Sequence, residues 1–427
     1  MPRTRLERLR SGFVGPPSSA SALVYASALV VSLLTCVVVW MKLRVSSVRR
    51  VRSRVLLIPG VGGTALHQRD GLLRRRMWFP LSLFAPKDFS VAQSWRERVR
   101  VRYVKESGDW SSSFAVEIDR DVRAVRNLTS LIRSTFSDPF GALVDSLQRK
   151  GVTVDAFGYD FRRVTGRETW RVVCRELLFR LMSLHRAGGG AGVVVVAHSF
   201  GGVLFRAFCQ EYGAEVSRFV RAFVAVACPF AGTALSLRTS LTGSTLGICF
   251  LGPKGQYAWF ADLLSNMSCI LATLPRSVDV TVQRLDGSCR RVTEFSEMGS
   301  LLYEAGQLNA MQAWVENVRG WLDRAYYGDL KCVRRVLVLV ASGIATPRSF
   351  TLQANREPNY FGEHDTYSSM YTSRVSGTED GDGMVSVSSQ TARVPEDAVV
   401  LSVQGYDHNG VLSSVELQTL VWRACTE

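Results

Sequence analysis

A chain of 427 residues with 47% hydrophobic content has room for one large domain with an insertion, or for two domains. That apolar content excludes a disordered protein. The net charge of +15 invites a nucleic-acid partner, but residues 1–54 carry ten Lys/Arg against the single acid Glu7, around a greasy segment. Elsewhere there are no zinc-finger spacings and no basic helix with interleaved aromatics, so no nucleic-acid partner is expected.

Residues 1–22 form a basic tail. Leu23–Met41 (LVYASALVVSLLTCVVVWM) carries no charge and approaches the roughly 20 residues that a bilayer-spanning helix needs. Tyr25 and Trp40 stand near its ends, where aromatics favour the interface. No small-x-small cleavage site follows, so the segment reads as an uncleaved single-pass anchor, with residues 42–53 as a basic linker. Flanking positives alone would put the C-terminal side in the cytoplasm. The sequons NLT at Asn127 and NMS at Asn266 point the other way. The expected location is the endoplasmic reticulum or another endomembrane, with the domain in the lumen.

Beyond the linker, seven apolar, β-branched runs end in turn residues: 54–60, 98–104, 152–160, 192–199, 221–229, 334–343 and 398–405. Most are too uniformly apolar for half-exposed strands, which predicts a parallel sheet buried on both faces. The cluster LRRRMWF (Leu73–Phe79) reads as a solvated or lipid-headgroup-facing surface. Helical periodicity lies between the runs. One helix follows Thr165, with Trp170, Val173, Leu177, Leu178 and Leu181 on one face and glycines at its end; another spans Val203–Gly213. Alternation of strand and helix indicates an α/β fold. Residues 231–330 break the pattern, either as an insertion covering one end of the sheet or as ordinary core helices. The nine cysteines include no C-x-x-C pair, so neither a metal site nor a cofactor is expected.

VVVVAHSFGG (Val193–Gly202) joins a strand to a helix through a serine. A sharp strand–elbow–helix turn needs small residues two before and two after its nucleophile; here they are Ala197 and Gly201. Ser199 needs a base to take its proton. His198 is its chain neighbour and should point away, to bond a neighbouring loop. The chain order Ser…Asp…His favours His408, just after the last apolar strand, over His364. His185 closes a helix, where its charge suits the dipole. Asp382 is the acid candidate, with Asp380 as its rival; Asp407 reads as loop structure. An oxyanion hole would take one backbone N–H from Phe200 and one from the glycine-rich exit of the first strand, where Val61 is the natural donor.

Taken in order, these motifs resemble the lecithin:cholesterol acyltransferase family. VLLIPGVGGTAL is similar to its oxyanion loop, RMWFPLSLF to its tryptophan-containing lid, and FGYDFRR to its Tyr-Asp-Trp-Arg motif. AHSFGG resembles the nucleophile motif, ACPFAGT a strand end, ATPRSFTL the turn before a late hairpin, GDGMVS the acid motif, and DHNGVL the histidine motif. The resemblance implies an α/β-hydrolase with a mainly parallel central sheet over residues 54–427, a lid near 70–100 and a cap near 231–330. It implies Ser199 as nucleophile, Asp382 as acid, His408 as base, Val61 and Phe200 as oxyanion donors, and Trp78 in a mobile lid. Ala197, Phe161, Met384 and Ser386 replace usual residues. No cysteine lies between 43 and 173, so the lid disulfide of secreted and lysosomal relatives cannot form.

The function this implies is a membrane-anchored serine acyltransferase, moving a fatty acyl group from phospholipid to a sterol or diacylglycerol. A phospholipase A or lipid esterase using water is the alternative. A non-catalytic lipid-binding relative would lack one of Ser199, Asp382 and His408, and all three are present.

Overall fold

The computed structural model describes residues 30–35, 37, 53–70, 73–78, 89–126, 128, 137–244, 258–359 and 369–427. The chain divides into two units, Met1–Val51 and Arg52–Glu427. In the first, residues 30–35 and 37 are helical, and the rest of the expected anchor lies outside the described residues. Among the described residues no helix is long and apolar enough to cross a membrane.

The second unit is built on six strands: β1 (Arg54–Ile58), β7 (Thr153–Ala156), β8 (Val193–His198), β9 (Val220–Val226), β12 (Val336–Ser342) and β15 (Val399–Gln404). They lie in the order β15-β12-β9-β8-β1-β7, every neighbour parallel. Central β8 and β12 are buried at every residue, which explains their unbroken apolar runs.

Two expectations are corrected. The run 98–104 is not in this sheet. Its first residues end helix α1 (Phe89–Val99), and β4 (Val101–Val104) pairs antiparallel with β5 (Asp109–Ser112) in a separate ribbon. The run at 398–405 does join the sheet, but as an edge strand, and Val399 and Val400 are 52% and 50% exposed. Apolar composition does not distinguish an edge from a centre.

Helices cover the sheet: α2 (Gly141–Arg149), α3 (Arg167–Ala187) and α4 (Phe200–Glu211). On α3, Trp170, Val173, Leu177 and Leu181 are buried, as their spacing predicts. Its N-cap is Gly166, which makes no side-chain cap bond. Asp109 of β5 caps the helix from a distance, accepting from the amides of Glu168 (3.1 Å) and Thr169 (3.0 Å) and from Thr169 Oγ1 (2.8 Å).

Between β9 and β12 the chain leaves the sheet. It forms α5 (Ala234–Thr242), α6 (Ala258–Ser265), α7 (Ser268–Leu271), the pair β10 (Asp279–Gln283) and β11 (Cys289–Val292), and a helical run ending in α8 (Arg319–Tyr327). β10 also pairs with β13 (Ile344–Asn359), which forms a long hairpin with β14 (Ser369–Gly381). A further three-stranded sheet, β3-β2-β6, comprises Leu73–Trp78, Leu66–Asp70 and Val116–Ile118.

Candidate active site

Ser199 sits between β8 and α4 with φ 55° and ψ −130°, a left-handed φ that a residue with a β-carbon adopts only under local constraint. The constraint is visible on both sides. The Ser199 amide donates to Val226 O at 3.0 Å, and Gly202 N–H returns to Ser199 O at 3.0 Å. A β-carbon at Gly201 would lie 2.5 Å from Ile58 O, and one at Gly202 would lie 2.2 Å from Cys228 Sγ. The elbow therefore closes only because those positions are glycine. Ala197 takes the remaining small-residue position and is fully buried.

His408 Nε2 lies 2.8 Å from Ser199 Oγ, and its Nδ1 lies 2.7 Å from Asp382 Oδ2. All three side chains are buried. With the proton on Nδ1, the imidazole donates to the carboxylate and accepts from the hydroxyl. Asp382 Oδ1 accepts from the amides of Met384 (2.9 Å) and Val385 (2.7 Å), so both carboxylate oxygens are engaged. The backbone repeats the link, His408 N–H donating to Asp382 O at 3.1 Å.

The hairpin explains how an acid so far along the chain from β12 reaches the sheet. β13 runs out from Ile344 and β14 returns to Gly381, opposite Ile344; Asp382 then bridges Ile344 directly. The rivals fall elsewhere. Asp380 Oδ1 accepts from Gly343 N–H at 2.6 Å, closing the turn after β12. Asp407 Oδ1 accepts from the amides of Asn409 and Gly410, as loop structure. His185 stacks edge-on against Phe219. His364 lies outside the described residues.

The exit of β1 forms the opposite wall. Gly63 N–H bonds Gly60 O at 3.1 Å, which makes a turn with Val61 inside it. Phe200 opens α4, so its amide is one of those a helix leaves without an internal partner. Trp78, the last residue of β3, is buried and donates from Nε1 to Gly62 O at 2.7 Å. Its ring lies edge-on to Phe161 and stacks on Trp95. Residues 79–88 of the lid expected near 70–100 lie outside the described residues. Tyr159, for which sequence reasoning had no role, braces the turn from below: its hydroxyl donates to Pro59 O at 2.7 Å. Burial raises that phenol's pKa well above the usual range, so it keeps its proton.

These walls line a pocket of about 140 Å³, close to the roughly 150 Å³ of an apolar void that holds benzene. Ser199, His408, Val61 and Trp78 line it together with Leu264, Met267 and Ile270 from the segment between β9 and β12. Thr233 fastens that segment to the acid loop, its hydroxyl donating to Met384 O. No sequence signal marked these residues individually, because their run has no clean period.

Beside the serine, His198 Nε2 lies 2.8 Å from His408 O. Burial first, and the neighbouring His408 second, lower its pKa to about 3, so the ring is neutral. Below the elbow, burial raises the Cys228 thiol to about 12, which leaves it an inert filler against Gly202. The sequon at Asn266 is corrected: that residue is 4% exposed, and its Nδ2 donates to Asp262 O at 2.6 Å, so the folded chain offers no glycan acceptor there. Asn127 is outside the described residues. Among the described residues no cluster of His, Cys, Asp or Glu could hold a metal. Chemically, a hydroxyl bonded to an imidazole that is itself oriented by a carboxylate can lose its proton as it attacks an ester.

The profile of a family described as lecithin:cholesterol acyltransferase matches residues 73–319, more than half of the chain. Phospholipase A(1) LCAT3 of Arabidopsis thaliana is 26% identical over 204 residues, 45% of this chain and 45% of that protein. The lysosomal phospholipase A and acyltransferase of Homo sapiens is 28% identical over 188 residues, 42% of this chain and 43% of that protein. The chain thus spans less than half the length of these curated relatives. Among solved structures, a chain in the crystal structure of the Tle4–Tli4 complex aligns with a TM-score of 0.50 at 14% identity, over 87% of this chain and 97% of that one. With the parallel sheet and the elbow after β8, the fold is that of an α/β-hydrolase with a mainly parallel central sheet.

Proposed function

The chain belongs to the lecithin:cholesterol acyltransferase family, and we propose that it transfers fatty acyl groups from phospholipid through an acyl-enzyme on Ser199. The observation that carries this is the unbroken hydrogen-bond chain from Ser199 through His408 to Asp382, facing a largely apolar cavity. His408 takes the serine proton as Oγ attacks the ester carbonyl, and Asp382 stabilises the imidazolium that forms. The amides of Val61 and Phe200 receive the oxyanion. His408 then protonates the departing lysophospholipid oxygen. An acceptor hydroxyl repeats the steps in reverse and leaves with the acyl group.

A sterol or diacylglycerol is the proposed acceptor. Its support is the apolar wall of Leu264, Met267 and Ile270, which disfavours water at the acyl-enzyme. A second reading, phospholipase A with water as acceptor, is favoured by the Arabidopsis relative's description as a phospholipase A(1). The proposed setting is an endomembrane, with the uncharged stretch Leu23–Met41 as a single-pass anchor and the domain in the lumen. Glycosidase sensitivity at Asn127 tests that orientation.

The activity test uses labelled phosphatidylcholine in detergent, with and without sterol or diacylglycerol. Labelled ester that needs the acceptor supports transfer, and free fatty acid supports hydrolysis. Equal activity in Ser199→Ala overturns the mechanism.

A further inference from the structure

Two consecutive residues grip His408 from opposite ends. Ser199 Oγ meets its ring at Nε2, and His198 Nε2 meets its backbone oxygen, each at 2.8 Å. A carbonyl oxygen can only accept, so His198 carries its proton on Nε2 and donates. That nitrogen is therefore committed to the loop and takes no part in the proton path. The His198 ring is buried, lies 4.8 Å from the His408 ring and stands edge-on to Phe140. The low pKa that burial imposes keeps it a neutral, single-tautomer donor.

The segment it holds has need of a tether. His408 follows β15, the edge strand with exposed valines, and Gly405 at φ 80° turns the chain between them. Asp382 holds the backbone N–H of His408 through its own carbonyl oxygen. His198 holds the other side of the same residue.

We propose that His198 is a positioning residue for the base: it latches the loop bearing His408 onto the elbow bearing Ser199, so that the end of β8 and the elbow it enters set the distance between nucleophile and base. The proposal rests on the reading of Ser199 as the nucleophile. Displacing an imidazole by even 1 Å slows chemistry far more than it weakens binding. An amide side chain at 198 could replace the lost donor, while an apolar side chain of similar size could only fill the space.

The test compares the full chain in detergent as wild type, His198→Gln, His198→Met and His198→Ala. Two readouts are taken: the inactivation rate by a fluorophosphonate, which needs an activated serine but no lipid, and kcat and KM on a short-chain p-nitrophenyl ester. His198→Met and His198→Ala are expected to lower the inactivation rate and kcat about tenfold or more, with KM within about twofold. His198→Gln is expected to recover most of that loss. If His198→Ala does not fold, the Gln and Met pair carries the comparison, with the melting temperature recorded for each. Inactivation of His198→Met at the wild-type rate, or equal losses in Gln and Met at wild-type melting temperature, overturns the latch. A wild type inert to the fluorophosphonate overturns the assignment of Ser199, and the latch with it.

Discussion

Gly60 and Ser199 touch so closely that a β-carbon on residue 60 would lie 2.6 Å from Ser199 Cβ and 3.1 Å from its Oγ. The exit of the first strand and the nucleophile elbow are thus one packed unit. The contact sets the exit of β1, where Val61 lies, against the serine, and it leaves no room for a side chain on residue 60.

Gly60→Ala should therefore damage catalysis more than folding. The added methyl must push either the β1 exit or the elbow aside, at a stability cost of about 1–3 kcal/mol. The same displacement misplaces the turn proposed to receive the oxyanion, and kcat on a soluble ester should fall about a hundredfold. Wild-type turnover in a folded Gly60→Ala variant would refute the role of this contact.

Asp382→Asn tests the acid without emptying its site. The retained carbonyl can still accept from Met384 and Val385, so the loop should keep its shape. The amide then faces His408 as a donor, which favours a proton on Nε2 and leaves Nδ1 to accept. That tautomer cannot take the proton of Ser199, and kcat should drop about ten-thousandfold. Steady-state kinetics give the loss, and nitrogen NMR of the imidazole gives the tautomer.

What was legible in the sequence follows from range along the chain. β1, β8 and β12 were readable because a strand buried on both faces leaves an unbroken apolar run. The elbow was readable because its demand for small residues falls within five positions. Asp382 could be nominated from chain order, but its approach depends on the β13–β14 hairpin, whose pairing only the structure supplies. Asp109 and Tyr159 were invisible as cap and brace, since each acts on a segment far away in sequence. The exposure of β15 was missed because position in a sheet leaves no mark on local composition.

Asp109 caps α3 from 60 residues away in the chain, and Gly166 makes room for it: a β-carbon there would lie 2.0 Å from Asp109 Oδ1. Asp109→Ala should leave the amides of Glu168 and Thr169 without acceptors at a part-buried site. A loss of about 1–2 kcal/mol in urea unfolding is expected, with activity per folded molecule retained. Asp109→Asn should lose less, because one oxygen still accepts. An unchanged unfolding midpoint in the alanine variant would refute the cap.

Trp78→Phe keeps an aromatic ring against Phe161 but removes the N–H that holds Gly62 O. Gly62, at φ 71°, lies in the turn that carries Val61, so the lost bond should loosen the proposed oxyanion donor rather than the fold. About a tenfold fall in kcat with little change in melting temperature is expected. A variant that loses stability but keeps kcat would make Trp78 a packing residue only.

The buried neutrality of His198 also predicts how stability depends on pH. Its pKa is lowered from 6.5 to about 3 in the folded chain, so the unfolded chain takes up a proton that the folded chain refuses. This residue costs nothing above pH 6.5, and its contribution to stability falls as pH drops from 6.5 towards 3. The slope approaches about 1.4 kcal/mol per pH unit in the middle of that window and vanishes below it. His408 and Asp382, the titratable neighbours that act on the ring, remain in His198→Gln, so the difference between the two proteins isolates residue 198. Unfolding free energies measured from pH 7 down to pH 4 should therefore fall more steeply in wild type than in His198→Gln. Parallel curves would mean that the buried ring takes up its proton as readily as the unfolded chain does, and would refute the lowered pKa.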